Sequence, residues 1–347
     1  MALWLVSCGG DVASGETDGS GGGGGGGAAT KGGGGQPAAG GVAGNAAGNE
    51  GGGGAASTGG SAGDPLPSGK PIFVAVGYGG HRTRSLDGKH WQDHVIDDPN
   101  GGDDKTLLRG VSFADGVFVA VGERVLTSTD GAQWKKAAYT PASFLNQACA
   151  LNGLWVAAGG NGLRVRSSDK AVTWEVSVSY MDGHFRGLAC GKGRFVAVGQ
   201  RNSTGMMSFS TDGMQWSEPS LGGAKLGRVA FGNGVFVAVG DAGRVATSSD
   251  GQAWSNSTLG TANRDMIMFS NGLFVTTEDG GFQTSPDGKT WTRVKSTGSF
   301  TAFAGAPGVW VGVLYPGKMH HGADLAKLTL GESTAPDFIQ IAVGFLP

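Results

Sequence analysis

A five-residue apolar phrase recurs seven times along this chain, and no other feature limits its fold so strongly. The copies read FVAVG at 73–77, FVAVG at 118–122, WVAAG at 155–159, FVAVG at 195–199, FVAVG at 236–240, FVTTE at 274–278 and WVGVL at 310–314, at spacings of 36 to 45 residues. A period of that length marks a repeat architecture, in which each unit buries its apolar face only against its neighbours. Two further phrases keep step with the first. One precedes it and ends in a turn dipeptide: GVSFADG at 110–116, GLACGKG at 187–193, RVAFGNG at 228–234 and MIMFSNG at 266–272. The other follows it: SLDGKHW at 85–91, STDGAQW at 128–134, SSDKAVTW at 167–174, STDGMQW at 210–216, SSDGQAW at 248–254 and SPDGKTW at 285–291.

Each unit therefore reads as strand, X-Gly turn, strand, loop, strand ending in S-x-D, tryptophan and a fourth strand. The X-Gly dipeptides supply positive φ where a two-residue hairpin needs it. Short segments rich in Val and Phe suit a pleated sheet. No unit holds a 3.6-residue apolar pattern of helical length, which excludes helical solenoids. Four antiparallel strands in about 40 residues make one propeller blade. The expected fold is all-β, a seven-bladed β-propeller spanning 71–347. The first unit lacks an innermost strand, and FIQIAV at 338–343 is the segment expected to fill that place and close the ring.

The third phrase resembles the Asp-box of the sialidase/BNR repeat, S-x-D-x-G-x-x-W, although most copies here are one residue shorter. The copy at 167–174 has full length with Ala171 in place of the usual glycine. A structural role is expected for it. Asp87, Asp130, Asp169, Asp212, Asp250 and Asp287 would accept backbone N–H groups in the turn. Trp91, Trp134, Trp174, Trp216, Trp254 and Trp291 would pack into the blade core. The six aspartates would lie far apart around a ring, so no metal or acid/base site is expected from them. The chain is also similar to the photosystem II stability/assembly factor-like propellers, a resemblance that implies a non-enzymatic binding role without naming a partner.

In such propellers the face opposite the Asp-boxes carries most ligand sites. Arg109, Arg186, Arg228 and Arg264 fall near the starts of innermost strands, and Arg201 and Arg244 fall in second-to-third-strand loops. These six are the candidate ligand-binding residues, suited to a carboxylate, sulfate or phosphate. A sialidase would need an arginine triad, a Tyr nucleophile paired with Glu and an Asp acid/base. The Arg-Ile-Pro phrase is absent, and none of Tyr78, Tyr139, Tyr180 and Tyr315 is tied to a Glu. A non-catalytic binding or scaffolding module for a protein or glycan is expected, with glycoside hydrolase and purely structural surface protein as the other readings. No cofactor is expected. The acidic run DDPNGGDD at 97–104 lacks Ca²⁺-loop spacing.

Composition divides the chain. Residues 9–70 hold 27 glycines among 62 residues and no aromatic, too little apolar surface to offset the entropy of ordering. This segment is expected to be a disordered linker with a reach of about 40–45 Å. Residues 1–8 end in LVSC, which resembles a bacterial lipobox with Cys8 as the lipidated residue, preceded by a shortened apolar stretch. The expectation is a monomeric protein lipid-anchored in the cell envelope, facing the periplasm or the exterior. A net charge of -2 without a Lys/Arg cluster gives no support for nucleic-acid binding. Cys149 and Cys190 fall one register position apart in adjacent innermost strands. They are expected to meet across a blade interface, as an inter-blade disulfide or as two buried thiols.

Overall fold

The computed structural model describes residues 69–347 apart from 100–103, 179–181, 220–221, 279–280, 296–299, 315–316, 332–337 and 347, together with two short strands at Gly52–Gly54 and Ser57–Gly59. Cys8 and most of the glycine-rich segment lie outside the described residues.

The described residues form a seven-bladed propeller of antiparallel sheets, with no α-helix. Blade one joins Phe338–Leu346 to Lys70–Gly77, Arg82–Ser85 and Trp91–Val95, so the C-terminal strand is its innermost member as expected. Innermost strands of the other blades, in order, are Leu108–Ala114, Leu145–Leu151, His184–Gly191, Leu226–Gly232, Ile267–Ser270 and Phe300–Ala306. Each packs on the next, and blade seven packs on blade one, which closes the ring. Blade four departs from the four-stranded plan: beyond Thr204–Ser210 only the bridge Phe209–Ser217 represents its outer strand.

The first hairpin turns are of the tight type with both central residues at positive φ. Asp115-Gly116, Asn152-Gly153, Lys192-Gly193, Asn233-Gly234 and Asn271-Gly272 supply them. The S-x-D turns at the same rim are built alike. Ser210 Oγ accepts from Gly213 N at 2.8 Å, and Asp212 Oδ1 accepts from Met214 N and Gln215 N at 2.8 Å each. The same contacts recur at Asp87, Asp130, Asp250 and Asp287, and in lengthened form at Asp169. Burial raises the Asp130 carboxyl, but the two backbone donors, Ser128 and Arg84 outweigh it and hold it low. At Asp287 the backbone N–H groups of Thr290 and Lys289 lower it to about 2. The tryptophans close the turns: Trp134, Trp174, Trp216 and Trp291 donate Nε1 to the turn carbonyl at 3.0–3.2 Å.

These turns also lock blade to blade. A Cβ at Gly131, Gly213, Gly251 or Gly288 would run into Val74, Val156, Val196 or Val237, and one at Gly88 would run into Val311 of blade seven. That valine is the second residue of the recurrent apolar phrase in the preceding blade. The two sequence phrases are thus complementary halves of one interface, which is why they recur in step.

Cys149 and Cys190 meet in one apolar cluster as buried free thiols, the second of the two arrangements expected for them. Cys190 donates to Ala150 O at 3.1 Å, and burial, reinforced by Cys190, pushes the Cys149 thiol up. Part of the segment read as linker is strand: Gly52–Gly54 pairs with the inner edge of blade three and Ser57–Gly59 pairs back on it. An innermost strand offers unpaired N–H and C=O groups, and glycine has no side chain to obstruct pairing there.

Candidate functional site

The rim opposite the S-x-D turns is shaped by a β-bulge in six of the seven innermost strands. An extra residue in one strand bends it and re-aims a side chain. In blades two to five and seven the extra residue lies nine positions before the recurrent phrase: Arg109, Asn146, Arg186, Gly227 and Thr301. In blade one it is Ile339. The bulge is what the sequence reading missed. Counting back from the phrase would have shown the common offset, though not the bulge itself.

This register sorts the six candidate arginines. Arg109 and Arg186 occupy bulges. Arg186 is exposed. Arg109 lies over the Phe144 ring with its guanidinium carbon 4.3 Å from the centroid and pairs with Glu123 at 3.4 Å. Phe144 in turn stacks parallel to His184, centroids 6.0 Å apart. Arg228 follows the bulge of blade five and reaches Gln147 Oε1 of blade three at 3.2 Å. Gln147 is buried and donates to Ser112 Oγ at 3.0 Å. Burial and the neighbouring Arg186 lower the Arg228 guanidinium to about 10, with Asp265 acting in the opposite sense. Arg109, Phe144, Asn146, His184, Arg186 and Arg228 therefore form one surface across blades two to five.

The other three arginines lie elsewhere. Arg264 stands ten positions before the phrase, where other blades have Leu108, Leu145, Phe185, Leu226 and Phe300, all buried. It is accordingly buried between strands, paired with Glu278 at 3.1 Å. Arg201 shares Glu218 with buried Arg164. Arg244 is taken up by the Ala224 carbonyl and by Asn256 Oδ1. Of the six candidate arginines, three thus share one side of this rim and three do not.

The acidic run at 97–104 is described only in part, and its Asp97 binds Arg82 and Arg124. Among the described residues no group of three or more His, Cys, Asp or Glu is placed to hold a metal ion. Tyr180 and Tyr315 lie outside the described residues. The Tyr139 hydroxyl makes no hydrogen bond, and burial pushes it up, so it is not a nucleophile paired with Glu.

No family model matches the sequence, and no curated protein matches it. Solved structures do. YCF48 bound to D1 peptide is 21% identical with a TM-score of 0.54, covering 72% of this chain and 90% of that one. Virginiamycin B lyase from Staphylococcus aureus is 10% identical with a TM-score of 0.55, covering 63% and 82%. The computationally designed Ika8 protein is 12% identical with a TM-score of 0.50, covering 81% and 98%. At these identities the likeness establishes the propeller fold alone. A peptide complex, a lyase and a design share it, so function has to be argued from the rim residues.

Proposed function

We propose that this protein is a non-catalytic binding module whose rim over blades two to five grips an acidic segment of a protein partner. The observation that carries this reading is the Arg186–Arg228 pair. Two like charges stand close enough for one to depress the other's ionisation, and Arg186 is exposed. Such a pair gains most from a carboxylate placed between its guanidiniums. Arg109 on Phe144, with His184 stacked beyond, extends the surface as a cationic and aromatic platform for the rest of the segment. The solved YCF48 complex, in which a propeller of this kind holds a peptide, supports the mode of use.

A fluorescent peptide of about ten residues carrying three glutamates tests this by anisotropy. The wild type is expected to bind it in a salt-sensitive manner and to ignore the same peptide with glutamine in place of glutamate. Equal binding of both peptides, or of neither, would reject the reading. Anchoring is a separate part of the proposal: Cys8 carries a lipid that holds the protein at a bacterial membrane. The support is the LVSC sequence followed by the glycine-rich segment. Palmitate labelling of wild type and Cys8→Ala decides it, equal labelling excluding Cys8.

A further inference from the structure

Blade six breaks the repeat at two positions that face each other. In blades one to five the residue ending the apolar phrase is glycine, paired across the sheet with an apolar residue: Gly77 with Phe338, Gly122 with Leu108, Gly159 with Leu145, Gly199 with Phe185, Gly240 with Leu226. Blade seven pairs Leu314 with Phe300. The corresponding residues of blade six are Glu278 and Arg264, so an apolar pair has become a buried ion pair. Nothing in the fold requires it, since six sister blades manage without, and desolvating two charges is costly. Local departures of this kind are expected where a protein is used rather than where it is merely held together.

The departure also opens the blade. At Gly122, Gly159, Gly199 and Gly240 an added Cβ would strike the carbonyl oxygen of the residue entering the innermost strand. Glu278 has a side chain there, and the innermost strand of blade six begins only at Ile267, without a bulge. The space left is a pocket of about 300 Å³, floored by Arg264 and Glu278 and walled by Thr261, Gln283 and Arg293, at the lower end of the range for small-molecule sites. Glu278 accepts from Gln283 at 2.7 Å, and Arg293 Nε stands 2.5 Å from its Oε1 as an ion pair. Burial raises its carboxyl, but Gln283, Arg264 and Arg293 together hold it below the ordinary value. Arg264 spends both terminal nitrogens on Glu278 and the carbonyls of Leu259 and Thr277. Arg293 is half-exposed and pairs with Glu278 through Nε, and among the described residues its Nη1 and Nη2 have no hydrogen-bond partner and are open to a ligand.

We infer that this pocket binds a small hydroxylated carboxylate, free or as the terminal group of a glycan. The Arg264–Glu278–Arg293 cluster carries one net positive charge, which a monoanion neutralises, whereas a phosphate dianion would leave charge uncompensated beside Glu278. The Arg293 fork fits a carboxylate, and Thr261 and Gln283 suit neighbouring hydroxyls. The site is independent of the arginine surface over blades two to five.

Calorimetry of the full chain with glucuronate, glucose and inorganic phosphate tests it. Glucuronate is expected to bind one to one, with glucose and phosphate weaker by about tenfold or more. Arg293→Ala should weaken glucuronate about tenfold. The double variant Arg264→Leu, Glu278→Gly restores the residues of the sister blades. It should fold at least as stably as wild type and lose glucuronate binding. Glucuronate and glucose binding alike, no glucuronate binding at millimolar concentration, or retention of binding by the double variant would each overturn the inference. A mono-glucuronidated oligosaccharide competing at equal or lower concentration would identify the glycan end as the source. Competition only by the free acid would identify the small molecule.

Discussion

The two rims of the ring carry the same number of blades and differ in what repeats. On the rim of the S-x-D turns, one arrangement of Ser, Asp and Trp is built six times, with glycine in five copies and Ala171 in the sixth, and in every copy the Ser and Asp side chains accept N–H groups of their own turn. On the opposite rim, the residues at one fixed offset are Arg109, Asn146, Arg186, Gly227, Asp265 and Thr301. The backbone there is nearly as regular, with bulges in six blades, while the side chains are all but unrelated. Repetition marks what every blade interface needs. Variation on a regular backbone marks positions that the ring leaves open to other uses.

The comparison can be broken most forcefully at the turn rim. Gly213→Ala puts a methyl group against Val156 at a residue with φ of 68°. It should cost about 2–4 kcal/mol by chemical denaturation and leave acidic-peptide affinity unchanged. At the other rim, Arg186→Ala with Arg228→Ala should do the reverse. Peptide affinity should fall about a hundredfold, read by anisotropy, while the melting temperature stays near that of wild type. If the arginine variant unfolds instead, the division between the rims is wrong.

Acid sharpens the same contrast. The turn carboxylates have folded values below their unfolded ones, so their contribution to stability is complete above about pH 4. It is lost as pH falls through the folded values, about 2 at Asp287. Stability of the wild type should therefore decline between about pH 4 and pH 2, and Asp287→Asn should make that decline shallower in melts across the range. The smallest expected effect is at Ala171, which holds φ of 64° where the sister turns have glycine. Relief of that strain, about 1 kcal/mol or more, exceeds the burial of one methyl group, about 0.8 kcal/mol. Ala171→Gly should thus raise stability slightly, by about 0.5 kcal/mol.

Much of this was legible in the sequence because a repeat reports its own register. The seven phrases gave the blade count, and FIQIAV was recognisable as the closing strand because blade one lacked an innermost member. The role of the six aspartates followed from the turn they occupy. The arginines were less legible. Arg109, Arg186, Arg228 and Arg264 look equivalent on the page, yet they stand at offsets of nine, nine, eight and ten from the phrase. In a strand, one position is the difference between opposite faces, and the bulge shifts that count again.

The sequence by itself determined the sheet repeat, its seven copies and the residues that join one blade to the next, because period-two patterning and turn chemistry act over a few residues. Only the tertiary structure decided which arginines reach the open rim and which are buried. That choice depends on how neighbouring innermost strands approach one another, as at Gly187, where a Cβ would meet the backbone of Arg228 in the next blade. It also decided that Glu278 would meet Arg264 and open blade six, because the two lie 14 residues apart in sequence and become neighbours only when the sheet forms.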